Sequence, residues 1–203
     1  MKLLCHPISP YARKAMIMWR LKGLSVEEII AHPDGAKGYT GGVNPLGKIP
    51  TLIVDAGETS GDLLLVDSPY ICAFLDQFGD PLLAAKGEEK WQALRYHALG
   101  DGITDAVYNY RYETVRPDAL HWPDMITRHE TAILQTLTLL ESETEHLSTP
   151  WNFGNLAIIC ALDYANYRAG HLGWQARFPK LAAWHATFTD DPYYMATYDY
   201  PSE

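Results

Sequence analysis

The heptapeptide that decides the fold is Asn44-Pro-Leu-Gly-Lys-Ile-Pro50, which runs directly into the apolar segment Thr51–Val54. Asn-Pro and Leu-Gly are turn signals, and the β-branched run that follows them is typical of a strand. An X-Pro bond at such a corner is a candidate for the cis form. A cis Ile49–Pro50 bond would turn the backbone N–H and C=O of Ile49 away from the sheet, where an extended peptide could pair with them. The alternative interpretation is a plain loop that enters a strand.

Composition and charge restrict the class of partner. The chain has 203 residues, of which 47% are hydrophobic and 20% are charged, as in an ordinary globular protein of one large or two small domains. The formal net charge is -9, and the sequence has no run rich in lysine or arginine. We therefore expect neither nucleic acid nor an anionic membrane surface as the main partner. A local basic pocket for a small anion is compatible with this balance.

Hydropathy and cysteine usage predict a cytoplasmic protein. No stretch approaches the ~20 apolar residues of a membrane-spanning helix, and Pro7 interrupts the first apolar run too early for a signal peptide. The three cysteines, Cys5, Cys72 and Cys160, are far apart and form no CxxC pair, which is typical of a reducing compartment. The histidines show neither HxxxH nor HExxH spacing, so we expect no metal site.

Residues 1–78 predict the order β-α-β-loop-β-β-α. Both predicted helices begin with the same device, since Ser9-Pro10 and Asp67-Ser-Pro69 place an N-cap residue just before a proline. In the first helix we expect the charged side chains on the solvent side, opposite the apolar stripe. These side chains are Arg13, Lys14, Arg20 and Lys22.

Strand signals end after a linker at residues 79–87, and residues 88–203 predict an all-helical domain. The first helix of this domain is expected to bend around Gly100-Asp-Gly102, because glycine disfavours a helix interior. Asn155 is the expected N-cap of an apolar core helix that follows it. The tyrosine-rich end of the chain, Tyr193 to Tyr200, is expected to pack back onto the protein.

Four motifs follow one another along the chain: Ser9-Pro-Tyr-Ala-Arg-Lys14, Asn44-Pro-Leu-Gly-Lys-Ile-Pro-Thr-Leu52, Asp67-Ser-Pro-Tyr-Ile-Cys-Ala-Phe-Leu75, and Asp101-Gly-Ile-Thr-Asp-Ala106 with Glu113-x-x-Arg-Pro117. In this order and spacing they resemble the soluble glutathione S-transferases, and the fourth resembles the bacterial members in particular. The resemblance implies a thioredoxin-like α/β domain at 1–78, an all-α domain at 88–203, and a homodimer. One departure is in the core helix, which in this family usually begins with a Ser/Thr-x-x-Asp capping box. The matching run here is Asn155-Leu-Ala-Ile158, in which isoleucine replaces the acid.

The resemblance implies a glutathione site in the first domain. Ile49, held by Pro50, would pair its backbone with the cysteinyl unit, and Asp67 and Ser68 would hold the γ-glutamyl end. The alternative for Asp67-Ser68 is helix capping, which the same residues can perform while they bind. Lys48 or Lys37 could offer a cation to the glycine carboxylate, and the alternative for Lys37 is a solvated loop lysine.

Ser9 is the predicted catalytic residue, because the resemblance places a thiol-activating side chain directly after the first strand. A free thiol has a pKa of about 8.5, and lowering it by ~2 units requires about 2.7 kcal/mol. One hydrogen bond to a charged acceptor contributes roughly 1.5–3 kcal/mol, so a single hydroxyl is sufficient. The alternatives are that Ser9 only caps the helix, that Tyr11 supplies the hydroxyl, or that Cys5 supports disulfide exchange. Cys5 and His6 are also compatible with purely structural roles.

The electrophile is expected to lie opposite Ser9 against an aromatic wall, which suits flat apolar substrates. Its candidate residues are Tyr11, Tyr108, Tyr112 and Trp122, together with the tyrosines at the C-terminal end of the chain. Arg95 and Arg111 could contact a polar substrate or lie on a solvated face. The leading hypothesis is therefore a glutathione transferase that joins the thiolate to a small, apolar electrophile. The alternatives are a glutathione-dependent disulfide reductase and a non-catalytic binding protein with the same fold.

Overall fold

The computed structural model of the protein describes residues 1–32, 38–55, 61–147 and 149–200. The chain divides into two compact units. The first unit begins at Met1, ends at Leu83, and also includes the residues from Pro192 onward. The second unit is Ala84–Asp191.

The first unit is built on a four-stranded mixed sheet in the order β2-β1-β3-β4. The strand β1 pairs in parallel with β2 and antiparallel with β3, and β3 pairs antiparallel with β4. Leu3 lies opposite Leu52 on the two central strands, and both side chains are fully buried. The predicted order β-α-β-loop-β-β-α is confirmed. The elements are β1 (Lys2–Cys5), α1 (Pro10–Leu21), β2 (Glu27–Ile30), β3 (Thr51–Val54), β4 (Leu63–Leu65) and α2 (Ser68–Leu75).

The prediction that the charged side chains of α1 face solvent is wrong. Arg13 and Lys14 are 0% and 2% exposed. Arg20 forms an ion pair with Glu28 at 2.7 Å. Buried charges persist in proteins only when partners replace water, and the Glu28 carboxylate does so for Arg20.

The tyrosine-rich end of the chain supplies the partners of Arg13. Its guanidinium lies 4.6 Å from the ring centre of Tyr194 and 5.2 Å from that of Tyr198, and its Nε donates to Thr197 Oγ1 at 3.3 Å. This segment contains a short helix, α8 (Pro192–Met195), whose number follows the helices of the second unit. The expectation that the segment packs back is confirmed, and it packs on the sheet-containing unit.

The second unit is helical. Within it α3 runs without interruption through both Gly100 and Gly102. A Cβ at Gly100 would lie 2.5 Å from the backbone carbonyl carbon of Ala157, so glycine here permits close backbone packing of two helices. The elements are α3 (Glu88–Thr114), α4 (Pro123–Ser142), α5 (Phe153–Ala169), α6 (Trp174–Arg177) and α7 (Pro179–Ala186), with 3-10 turns at Asp118–Leu120, Thr144–His146 and Gly170–Leu172.

The predicted start of the core helix α5 is wrong by three residues. Its N-cap is Asn152, whose side-chain oxygen accepts from the backbone N–H groups of Gly154 and Asn155 at 2.8 and 2.9 Å. Asn155 is the third helical residue, and its side-chain oxygen accepts from the Asn152 N–H at 2.8 Å. The capping box is therefore present as Asn152-x-x-Asn155, and Ile158 is an ordinary core residue.

No helix within the described ranges combines the length and the apolar character that crossing a membrane requires.

Candidate functional site

The register of the sheet places three loops of the first unit at the same end of the sheet. Leu4 near the end of β1 lies opposite Thr51 at the start of β3, and Leu52 lies opposite Leu65 at the end of β4. The chain therefore leaves β1, enters β3 and leaves β4 at one end of the sheet. The predicted site residues Ser9, Ile49 and Asp67 each lie in one of these three connections.

The corner before β3 is organised by Asn44, a residue for which sequence reasoning gave only a turn signal. Its side-chain oxygen accepts from the Leu46 N–H at 2.9 Å. Its side-chain nitrogen donates to the Lys48 carbonyl at 2.9 Å and to Thr51 Oγ1 at 3.0 Å. Because Asn44 is fully buried, these three bonds fix the path of the loop to the strand.

The Ile49–Pro50 peptide bond is cis, as is the bond between Val66 and Asp67. Within the part of the chain that the structure describes, neither the N–H nor the C=O of Ile49 forms a hydrogen bond. Backbone N–H and C=O groups normally form hydrogen bonds, so those of Ile49 need a partner. Ile49 is only half-buried. An extended peptide could pair with these two groups.

Ser9 is the N-cap of α1, as expected. Its Oγ accepts from the Ala12 N–H at 3.2 Å, and its own N–H donates to the His6 carbonyl at 2.9 Å. A hydroxyl has two lone pairs and one proton, so capping occupies one lone pair and leaves the proton available to donate. Helix capping and donation to a ligand are therefore compatible at Ser9, whose side chain is half-buried.

Asp67 and Ser68 differ in access although they are adjacent. Asp67 is the exposed N-cap of α2, and its Oδ1 accepts from the Ser68 N–H at 2.5 Å. The second carboxylate oxygen accepts no hydrogen bond from the described residues. Ser68 is fully buried, and its Oγ has no hydrogen-bond partner among those residues. The Asp67 carboxylate can receive an ammonium group, whereas the Ser68 hydroxyl lies beneath the surface.

The remaining candidates of the first unit are unevenly placed. Lys48 is exposed, and Lys37 lies outside the described residues. Tyr11 is half-buried, with its ring centre 5.9 Å from the Nζ of Lys14.

Cys5 and His6 are the residues near the start of the chain that could compete with Ser9, but their pKa values are unsuitable. Burial, with a smaller contribution from the Glu28 carboxylate, raises the pKa of the Cys5 thiol to about 12. Burial and the nearby His32 lower the pKa of His6, and the Asp199 carboxylate acts against this shift. Cys5 is therefore a thiol and His6 a neutral imidazole at pH 7. Cys72 and Cys160 are buried in the two units, as expected for core cysteines.

The aromatic candidates of the second unit lie on its surface. Tyr108 and Tyr112 are one helical turn apart on α3, with ring centres 4.5 Å apart and exposed fractions of 40% and 51%. Trp122 is exposed just before α4, and its backbone N–H donates to Glu113 Oε1 at 2.8 Å. Exposed paired rings can contact an apolar ligand.

The two arginine candidates are in different situations. Arg95 forms two hydrogen bonds with the Glu143 carboxylate, at 2.7 and 2.8 Å, and this pairing lowers the pKa of Glu143. Arg95 is thereby engaged in the structure of the unit. Arg111 is exposed and forms no ion pair with the described residues.

Among residues 1–32, 38–55, 61–147 and 149–200 there is no cluster of three or more His, Cys, Asp or Glu side chains that could hold a metal ion.

Comparisons with known proteins point to one family. Residues 8–77 match the family model described as the glutathione S-transferase N-terminal domain. The uncharacterized GST-like protein YibF of Escherichia coli K12 is 31% identical over 186 residues, which cover 89% of this chain and 90% of YibF.

Solved structures agree with this match. A glutathione transferase family member from Pseudomonas fluorescens Pf-5, with bound S-(propanoic acid)-glutathione, is 33% identical with a TM-score of 0.83 and full coverage of both chains. A glutathione S-transferase from Methylobacterium radiotolerans, in complex with glutathione sulfonate, is 28% identical with a TM-score of 0.88, covering 100% of this chain and 96% of that one. The predicted fold, a thioredoxin-like α/β domain followed by an all-α region, is confirmed.

Proposed function

The chain belongs to the glutathione S-transferase family, and from this premise we propose that it joins the thiol of glutathione to a small, largely apolar electrophile. Ser9 activates the thiol by donating a hydrogen bond to the thiolate. The thiolate then attacks the electrophilic carbon, a C–S bond forms, and the leaving group departs with its electron pair or, in an addition, the acceptor carbon takes up a proton.

The observation that carries the proposal is that three loops meet at one end of the sheet. The first loop contains the Ser9 hydroxyl, the second contains the backbone N–H and C=O of Ile49, and the third contains the Asp67 carboxylate. Glutathione would pair its cysteinyl unit with the Ile49 backbone beside Pro50. Its free ammonium would bind the Asp67 carboxylate, and Lys48 would bind its glycine carboxylate. Lys37 is a second candidate for that last role.

Ser68 is proposed to help bind glutathione although its side chain is buried. The Ser68 hydroxyl is buried without a partner among the described residues, so a small side-chain movement would be needed for it to reach the γ-glutamyl carboxylate. The helix opening at Ser68 adds a favourable field for that anion, which contributes about 0.3–1 kcal/mol.

The acceptor is proposed to contact the aromatic side chains Tyr11, Tyr108, Tyr112 and Trp122. The exposed pair Tyr108–Tyr112 offers the widest ring surface of this group. The ligand of the Pseudomonas fluorescens relative is a glutathione thioether whose added group carries a carboxylic acid.

The proposal is tested by titrating the bound thiol. Glutathione is bound to the protein, the ultraviolet absorbance of the thiolate is followed against pH, and the titration is repeated with Ser9→Ala. We expect the bound thiol to titrate about two pH units below free glutathione, near pH 6.5 rather than 8.5, and the shift to disappear in the variant. An unshifted thiol, or a shift that persists without Ser9, would overturn the role of Ser9.

A disulfide reductase that uses Cys5 is not favoured, because that thiol is buried with a pKa of about 12. Such a thiol is a poor nucleophile for disulfide exchange. A non-catalytic binding protein would bind glutathione without lowering its thiol pKa, so the same titration separates it from the transferase.

We also propose a cytoplasmic homodimer. Cys5, Cys72 and Cys160 are thiols rather than disulfides, which suits a reducing compartment. Large apolar side chains on both units are exposed in the single chain, among them Leu46, Tyr70 and Trp91. Light scattering of the purified protein should give twice the 22.8 kDa mass of one chain.

A further inference from the structure

The C-terminal segment, residues 192–200, surrounds the side chain of an arginine in the first turn of α1. The guanidinium carbon of Arg13 lies 4.6, 5.2 and 5.9 Å from the ring centres of Tyr194, Tyr198 and Tyr200. The rings of Tyr194 and Tyr198 are stacked, and the ring of Tyr200 meets that of Tyr198 edge to face. A guanidinium is attracted to the faces of aromatic rings, so these three tyrosines, the tyrosine cage, hold one cation.

A hydrogen bond fixes the same side chain to the segment. The Nε of Arg13 donates to Thr197 Oγ1 at 3.3 Å, and the Thr197 hydroxyl donates to the carbonyls of Tyr193 and Tyr194 at 3.1 Å each. Arg13 and Thr197 are 0% and 2% exposed. Because water does not reach this bond, it constrains the guanidinium more strongly than a bond at the surface would.

The position of Arg13 is unfavourable for the helix by itself. Arg13 is the fourth residue of α1, and a cation in the first turn of a helix opposes the helix dipole. Burying its charge adds a desolvation cost. The contacts with the C-terminal segment offset these costs, so the arginine serves the joining of the segment to α1 rather than the helix alone. A residue that opposes a local rule in this way is expected at a functional site.

The anchored arginine is connected to Ser9 through the backbone. The N–H of Arg13 donates to the Ser9 carbonyl at 2.9 Å, and the N–H of Ala12 donates to Ser9 Oγ at 3.2 Å. The end of a helix opens more easily than its middle, because its groups have fewer hydrogen-bond partners. A fixed Arg13 side chain therefore holds in place the turn to which Ser9 is bonded.

The same segment also acts on the turn that precedes Ser9. Burial and, to a smaller extent, His32 lower the pKa of His6, and the Asp199 carboxylate of the segment acts against this shift. Asp199 therefore lies within electrostatic reach of His6, whose carbonyl accepts from the Ser9 N–H at 2.9 Å. The C-terminal segment thus interacts with the chain on both sides of Ser9.

We propose that Arg13 is a positioning residue for Ser9: the tyrosine cage and Thr197 anchor the first turn of α1 and so fix the direction in which the Ser9 hydroxyl donates to the thiolate. This inference rests on the proposed transferase function. A hydrogen bond weakens steeply as its geometry departs from linear, so a loosened turn would stabilise the thiolate less. Arg13 itself has no need to touch glutathione.

The test repeats the titration of bound glutathione with Arg13→Gln, Thr197→Val and Tyr198→Leu. The last two variants keep the charge of Arg13, so they separate positioning from a direct effect of that charge on the thiolate. Tyr198→Phe is the matched control that keeps the ring. Arg20→Gln removes an arginine from the last turn of the same helix, where it pairs with Glu28. Circular dichroism establishes folding, and the exposed Tyr198 provides the deciding variant if the buried positions do not tolerate substitution.

We expect the bound thiol to titrate about one pH unit higher in Arg13→Gln and Thr197→Val than in the wild type, and clearly higher in Tyr198→Leu. A rise of one unit from about 6.5 lowers kcat/KM at pH 6.5 about fivefold. Both controls should keep the wild-type titration. At about pH 5.5, where bound glutathione is mostly the thiol, its dissociation constant should change less than about twofold, because Ile49 and Asp67 are unchanged.

The outcomes separate this inference from the proposed function. A wild-type titration in both Thr197→Val and Tyr198→Leu would overturn the role of the cage alone, even if Arg13→Gln is shifted, because the charge would then act directly. A loss of stability without a change in the bound thiol would also make the cage purely structural. If the thiol bound to the wild-type protein is unshifted, or glutathione does not bind, the proposed function fails and the inference fails with it.

Discussion

The helices α1 and α5 both begin at a polar N-cap, but the two caps retain different hydrogen-bonding capacity. At α5, Asn152 accepts from two backbone N–H groups, while Asn155 accepts from the Asn152 N–H and donates to the Pro150 carbonyl at 3.0 Å. At α1, the Ser9 oxygen accepts from one N–H, and its proton is given to no described residue.

This difference teaches that a capping motif in the sequence does not by itself mark a site. Asn155 is buried, and the four hydrogen bonds at this cap hold the first turn of α5. Ser9 is half-buried and retains a donor, so it can cap and bind at once. The N-cap of α2, Asp67, is intermediate because one of its carboxylate oxygens is used for capping. Substitutions at these caps should therefore separate catalysis from stability.

The largest expected effect is on catalysis at Ser9. At pH 6.5 a thiol of pKa 6.5 is half ionised and one of pKa 8.5 is about 1% ionised, so Ser9→Ala should lower kcat/KM on the order of 50-fold. The lost cap should lower the free energy of unfolding by only about 1 kcal/mol. The measurements are initial rates at pH 6.5 and urea denaturation.

Ser9→Thr is the control, because threonine keeps both the hydroxyl and the cap. Its kcat/KM should stay closer to the wild-type value than that of Ser9→Ala. A variant Ser9→Ala whose kcat/KM changes less than about twofold would place Ser9 with Asn152, as a cap and nothing more.

At Asn152 we expect a loss of stability without a loss of catalysis. Asn152→Ala should lower the free energy of unfolding by about 2 kcal/mol, the upper end for a lost cap, because it removes the acceptor of two backbone N–H groups, those of Gly154 and Asn155. Glutathione affinity and kcat/KM of the folded protein should not change. Urea denaturation and steady-state kinetics measure the two quantities.

Two variants make the Asn152 experiment specific. Asn152→Asp should restore most of the stability, since aspartate is an equally good N-cap. Asn166→Ala changes the same residue type at an exposed position of α5 and should be nearly neutral. A stability of Asn152→Ala equal to that of Asn166→Ala would show that the box contributes nothing.

A smaller effect is expected at Asp67, and on ligand affinity alone. Asp67→Asn keeps a good N-cap but removes the charge that would bind the ammonium of glutathione. The dissociation constant for glutathione should rise about tenfold, and the free energy of unfolding should change by less than about 0.5 kcal/mol. Calorimetry compares this variant with Asp62→Asn, an exposed aspartate before β4. Equal affinity in the two variants would remove Asp67 from the site.

The sequence was sufficient for the order of elements in the first unit and for the starts of α1 and α2, because proline and an N-cap residue leave a strong local signal. It was misleading at α5, where Asn152 and Asn155 are two good caps three residues apart. Local propensity cannot choose between them, and the choice depends on which asparagine is packed against the core.

The burial of Arg13 and the role of Asn44 could not be predicted for a different reason. Arg13 is covered by Tyr194 and Tyr198, which are about 180 positions away in the sequence, so no local pattern indicates it. Asn44 looks like any turn asparagine until the strand that receives its bonds is placed.

The smallest expected effect concerns the turn that presents Ser9. His6 accepts from the Ile8 N–H through Nδ1 at 3.3 Å, which requires the neutral ring, and its carbonyl accepts from the Ser9 N–H. The pKa of His6 is lowered below 6.5 by burial and by His32. Its contribution to stability is therefore present above pH 6.5 and is lost as the pH falls through the lower pKa of the folded protein.

Between pH 7.5 and pH 5, the free energy of unfolding should fall more in the wild type than in His6→Gln. The difference between the two losses should be less than about 1 kcal/mol, because the ring is only half-buried. The control is His129→Gln on α4, which removes a histidine outside the turn that presents Ser9. Identical pH dependence in His6→Gln and the wild type would mean that the turn, and with it the presentation of Ser9, does not depend on the protonation of His6.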